Sequence, residues 1–182
     1  MLKEDFLVEL GTEELPPKAL LKLSKSFQTG IIEGLKKESL AHGEVKSFAT
    51  PRRLAVLVCA LDEKQADRTT QKFGPAVKAA FDTHGNPTRA ADGFAKSCGV
   101  LVADLGRAPN DGVEKLSFSS TLPGKSTNEL LPAIVDAALA KLPIPKRMRW
   151  GASRNEFVRP VHWLVMLFGE EVVPSTIMGV TS

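Results

Sequence analysis

Leu20, Leu23, Phe27, Ile31 and Leu35 recur at three- and four-residue steps behind Pro16 and Pro17, which commits residues 17–40 to one long amphipathic helix. Proline is tolerated in the first helical turn. Glu9, Glu13 and Glu14 lie at a strand end and ahead of this helix, so they are read as caps and dipole partners rather than general acids. Gly30 and Gly34 fall inside the helix and cost about 1 kcal/mol each relative to alanine, which points to a second backbone packed closely there. Such a helix needs a surface to cover, and the flanking sequence supplies strands. Phe6, Val8 and Leu10 alternate up to Gly11, and two β-like runs follow at residues 44–49 and 53–61. The second, RLAVLVCAL, reads as a central buried strand.

Further along, residues 67–73 suit a polar edge strand. A small helical excursion is expected over residues 87–105, with Asn86 as cap, Pro87 at the first helical position and Gly99 just past the end. Residues 113–120 form another strand. Ser126 with Glu129 makes a capping box ahead of a helix over residues 127–142, whose apolar stripe is Leu131, Ile134, Val135, Ala138 and Leu142. Residues 157–168 form a strand that turns at Gly169 and Glu170 into Val172 and Val173. In that strand Arg159 and Trp163 share a face and His162 takes the other. Strands adjacent in sequence, without regular βαβ alternation, favour an α+β fold with a mostly antiparallel sheet. A sub-domain or insertion around residues 75–110 stays open as an alternative to a single domain.

Several function classes are set aside. No apolar run approaches the roughly 18 residues that span a bilayer, so no membrane partner and a cytoplasmic location are expected. Cys59 and Cys98 lie far apart and read as reduced thiols. His42, His84 and His162 share no metal-ligand spacing with them, and no zinc site is expected. Residues 122–127, LPGKST, resemble the end of a phosphate-binding loop, but Ser119 stands where its first glycine belongs and a helix start explains the run.

Charge is the uneven feature. Residues 145–168, PKRMRWGASRNEFVRPVHWLVMLF, hold five Lys and Arg against one Glu, a formal +4, whereas the whole chain carries +3. Arginine forks match phosphate oxygens, and flat rings stack on bases. Lys146, Arg147, Arg149, Arg154 and Arg159 are therefore candidates for nucleic-acid contact, with Trp150 as the stacking ring and Trp163 as core. Thr50–Arg53, TPRR, adds Arg52 and Arg53 on a turn, able to hold a phosphate or to cap carbonyl ends. No catalytic cluster is legible.

LVELGTEELPPKAL at the N-terminus, TPRRLAV, GNPTRAADGFAKSCGV and KRMRWGASRNEFVRPVHWLV together resemble the beta subunit of the bacterial heterotetrameric glycyl-tRNA synthetase. The resemblance implies an α2β2 ligase that joins glycine to tRNA(Gly) with ATP. It further implies that the class II catalytic core lies mainly in the alpha subunit, with the beta subunit contributing tRNA recognition. That family's beta chain is much longer, with an HD-like region and a C-terminal anticodon-binding domain. The present chain then corresponds to an N-terminal part, inactive alone and binding no cofactor. Its role would be tRNA contact, assembly with the alpha subunit, or both. The alternative is a scaffold whose arginines pair with carboxylates. Convergence of Arg52, Arg53, Arg147, Arg149 and Arg154 on one face favours a polyanion, and scattered pairs favour structure.

Overall fold

The computed structural model describes residues 2–152 and 154–182. The chain forms two compact units, one from residues up to Ala66 together with Gly124–Ser182, the other from Asp67–Pro123. In the first, β1 (Lys3–Thr12) leads to α1 (Pro17–Lys37), β2 (Val45–Thr50) and β3 (Arg53–Asp62). The second holds β4 (Arg68–Ala76), α2 (Val77–Ala80), α3 (Arg89–Cys98), β5 (Gly106–Asn110) and β6 (Val113–Leu122). The first unit then resumes with α4 (Thr127–Ala140), β7 (Met148–Arg149), β8 (Glu156–Phe157), β9 (Val161–Phe168), β10 (Glu171–Val172), β11 (Thr176–Ile177) and β12 (Val180–Thr181). This is the expected α+β fold with antiparallel sheets.

The main sheet runs β10-β9-β1-β3-β2, with every pair antiparallel. Omitting β10, the chain order β1-α1-β2-β3-α4-β9 and this strand order are those of the ferredoxin-like split βαβ arrangement, into which the second unit is inserted between β3 and α4. Alternation along each strand sends Phe6, Val8 and Leu10, Leu54, Val56 and Val58, and Leu164, Met166 and Phe168 into one core. That core also takes Leu23, Phe27, Ile31 and Leu35 from α1 and Leu131, Ile134, Val135 and Ala138 from α4. The α1 glycines mark the helix crossing. A Cβ at Gly30 would lie 2.9 Å from Ala138 Cβ, and one at Gly34 would lie 2.5 Å from Ile134 Cγ2.

The inserted unit is a three-stranded sheet, β4-β6-β5, with a small core of Ala80, Ala91 and Leu116 supported by Phe81, Phe94, Val102 and Leu105. β4 takes the edge position expected of residues 67–73. Its helical excursion begins later than the Asn86–Pro87 signal implies. The Asp82 carboxylate accepts the N–H groups of His84 and Asn86, both at 2.8 Å, and Pro87 bridges to Phe81 in an extended pairing. A residue committed to that bridge cannot be helical, so Thr88 precedes the helix and Arg89 opens it.

Two other boundaries move. The long helix stops at Lys37 because Ser39 turns left-handed, with φ 58°. The strand expected over residues 157–168 is broken. Glu156 and Phe157 pair instead with Met148 and Arg149, and Val158–Pro160 separates them from β9. The Ser126 hydroxyl accepts the Glu129 N–H at 3.4 Å, as the capping signal requires.

Candidate interaction surface

The β2–β3 hairpin places Thr50 opposite Arg53, with Pro51 and Arg52 at its turn. Backbone bonds tie this turn to the link between β1 and α1. Thr12 N–H donates to Arg52 O at 2.9 Å and Leu15 N–H to Pro51 O at 2.7 Å. Arg52, Arg53, Arg159 and His162 are thereby brought to the acids of the β1 end. Arg52 Nη2 lies 3.5 Å from Glu13 Oε1, which is also 2.8 Å from His162 Nε2. Arg53 Nη1 lies 3.7 Å from Glu9 Oε2, and its guanidinium carbon sits 5.6 Å from the centre of the Trp163 ring. Trp163 Nε1–H donates to Glu9 Oε1 at 3.0 Å. Arg159 spends its donors on carbonyls, Glu14 O at 3.0 Å and Val158 O at 3.2 Å.

Glu9 and Glu13 are therefore not helix caps. No acid lies in the first turn of α1, which is preceded by Pro16, and both carboxylates serve arginine, tryptophan or histidine instead. Arg159 and Trp163 are not partners either. Arg159 lies outside β9, and the β1–β9 register shifts between Gly11 and Thr12, so simple alternation does not carry across it. Arg53, from another strand, takes the place over the ring.

The rest of the basic segment lies around the end of α4. Arg147 Nη2 donates to Ala140 O at 2.8 Å, meeting a carbonyl that the helix end leaves unpaired. Arg149 Nε lies 2.7 Å from Glu156 Oε1, across the β7–β8 pair. Lys146 and Arg154 are exposed and have no carboxylate partner among the described residues, and Ser153 lies outside those residues. Trp163 does not take the core place expected of it. Trp150 packs against the main core, while the half-buried Trp163 lies on the sheet face opposite Leu164 and Met166, beneath Arg53.

These pairs are partly exposed and worth at most about 1 kcal/mol each, so their consequence is charge balance more than stability. Beside the Arg52–Glu13 pair opens a hollow of about 590 Å³ whose charged lining is Glu13, Glu14, Arg52 and Arg159, two acids against two bases. Such a lining has little net field with which to gather a polyanion. The LPGKST run is held structurally. Gln65 N–H donates to Lys125 O at 3.0 Å, and the backbone of Gln65 occupies the space a side chain at Gly124 would need. No helix among the described residues is long and apolar enough to cross a membrane.

Comparison with known proteins gives this arrangement its context. The beta subunit of glycine–tRNA ligase from Marinobacter nauticus is 54% identical over 179 residues, 98% of this chain and 26% of that protein. Those of Tolumonas auensis and Pseudomonas aeruginosa are 55% and 56% identical, over 100% and 98% of this chain and 26% of each relative. The relatives are thus aminoacyl-tRNA synthetase subunits. The family model for the glycyl-tRNA synthetase beta subunit matches residues 6–182, and the chain belongs to that family. It spans about a quarter of the length of the curated relatives it matches.

Proposed function

We propose that this chain is a non-catalytic assembly module of the glycyl-tRNA synthetase beta subunit. It supports ATP-dependent attachment of glycine to tRNA(Gly) in the cytoplasm by helping to build the α2β2 enzyme, with ATP used mainly at the alpha subunit. The observation that carries this reading is the occupation of the arginines by the chain's own groups. Arg52 and Arg53 face Glu13 and Glu9, Arg149 faces Glu156, and Arg147 and Arg159 donate to carbonyls. A guanidinium whose charge is balanced by a neighbouring carboxylate adds little net positive field with which to gather a phosphate backbone.

The second reading, direct contact with the tRNA backbone, is favoured by Lys146 and Arg154, which stay exposed without a carboxylate partner among the described residues. The two readings separate in the full complex. For assembly, Arg147→Ala and Arg149→Ala leave tRNA affinity and its salt dependence unchanged, and Arg52→Glu with Arg53→Glu weakens subunit association in sedimentation velocity. If the tRNA reading is right, each alanine variant instead lowers the slope of log affinity against log salt by about one. The isolated chain, given ATP, glycine and tRNA, is expected to form no glycyl-tRNA, and clear turnover would overturn both readings.

A further inference from the structure

An apolar groove of about 270 Å³ opens where the start of α1 meets the 143–148 segment. Pro16, Ala19, Ile144 and Met148 line its walls, and Lys146 and Arg159 stand among them as the charged lining groups. Neither cation has a carboxylate partner among the described residues, unlike Arg52, Arg53 and Arg149. The volume is below the roughly 300–1,000 Å³ of sites that enclose small molecules. It suits one large side chain or two small ones. An apolar wall bordered by Lys146, and by an Arg159 whose partners are carbonyls rather than carboxylates, fits a hydrophobic side chain next to a carboxylate, whereas a nucleic-acid backbone offers nothing apolar to fill it. Met148, 36% exposed, adds an adaptable wall of the kind that re-packs around an incoming residue.

We infer that this groove docks an acidic, apolar-anchored segment of the same polypeptide, from the three quarters of length that the relatives carry beyond the matched part. Size favours a tethered occupant over a free partner. A stable interface between free proteins buries about 800 Å² on each side, far more than one groove of this volume offers. A segment on the same chain meets the groove in an intramolecular step, so a smaller contact suffices than between free proteins.

The test uses the full-length beta subunit with its alpha partner and tRNA. A photoreactive phenylalanine analogue is introduced at Met148, and the cross-linked peptides are identified by mass spectrometry. The expected product is a link within one chain to a peptide with a large apolar residue beside Asp or Glu. Its yield should fall about fivefold or more on Lys146→Glu and be retained on Lys146→Arg, consistent with the loss of one charge pair. A link to the alpha subunit, to a second beta chain or to tRNA, no link at all, or a yield indifferent to the Lys146 charge would each overturn the inference. Because subunit association is measured separately by sedimentation, assembly can stand if the groove assignment falls.

Discussion

The Trp163 ring occupies the space that any side chain at position 11 would need, and Gly11 is its direct partner across the β1–β9 pair. The bare backbone of Gly11 lets the indole lie across β1, where it reaches Glu9 and passes beneath Arg53. A cross-strand ring over a glycine restores the packing that the glycine lacks.

Gly11→Ala is therefore expected to displace the indole and break its 3.0 Å bond to Glu9. The cost should be about 2–3 kcal/mol, from overpacking together with the lost hydrogen bond. Urea denaturation with near-ultraviolet circular dichroism measures both the stability and the ring environment. A variant as stable as the parent, with an unchanged aromatic spectrum, would contradict the packing described.

At the α1–α4 crossing the two glycines should respond differently. A Cβ at Gly34 meets Ile134 Cγ2 at 2.5 Å, a side chain that can be trimmed, whereas one at Gly30 meets Ala138 Cβ at 2.9 Å and Cα at 3.1 Å. Alanine gains about 1 kcal/mol of helix propensity at either site, and the collisions oppose it. Gly30→Ala should lower stability by about 1–2 kcal/mol with no remedy from Ile134→Ala. Gly34→Ala should be destabilising alone, and the double variant Gly34→Ala, Ile134→Ala should show favourable coupling of at least about 0.5 kcal/mol in a thermal-unfolding cycle. Additivity at Gly34, or no loss of stability on Gly30→Ala, would place the helices farther apart than the structure has them.

The Asp82 turn should be acid-sensitive. The Asn86 backbone N–H holds its carboxyl below the usual carboxylate range, against the opposing effect of desolvation and with lesser help from the Asn86 amide and the His84 and Gly85 N–H groups. A carboxyl whose folded value is depressed contributes stability that is present above its unfolded value and lost as the pH falls through the folded one. The turn should thus be intact at neutral pH and loosen below about pH 4. Amide chemical shifts of His84 and Asn86 would follow the transition, and Asp82→Ala should abolish it. If those shifts stay flat from pH 6 to about pH 2, the carboxylate is not what holds the turn.

Much of the fold was legible because it rests on local periodicity. The 3.6-residue stripe from Leu20 to Leu35 and the alternation of Phe6, Val8 and Leu10 reach the core without help from distant residues. The close approach at Gly30 and Gly34 was legible too, since helix-interior glycines are costly unless something packs there. Boundaries failed where a non-local bond overrode the local signal. Pro87 looks like a helix start, yet its bridge to Phe81 keeps it extended, and Arg149 draws Glu156 and Phe157 away from β9. For the basic residues, sequence supplied the charges but not their partners.

The α+β class, the two long helices and the strands they cover follow from residue order alone, because propensity and hydrophobic spacing act over a few residues. Which tryptophan packs in the core and which lies under an arginine, and which carboxylate each guanidinium meets, were settled only by tertiary structure. Glu9 and Trp163 are 154 positions apart, and Arg53 is distant from both. Their meeting depends on strand order and register in the sheet, which bring distant residues together without any mark in the local sequence of either.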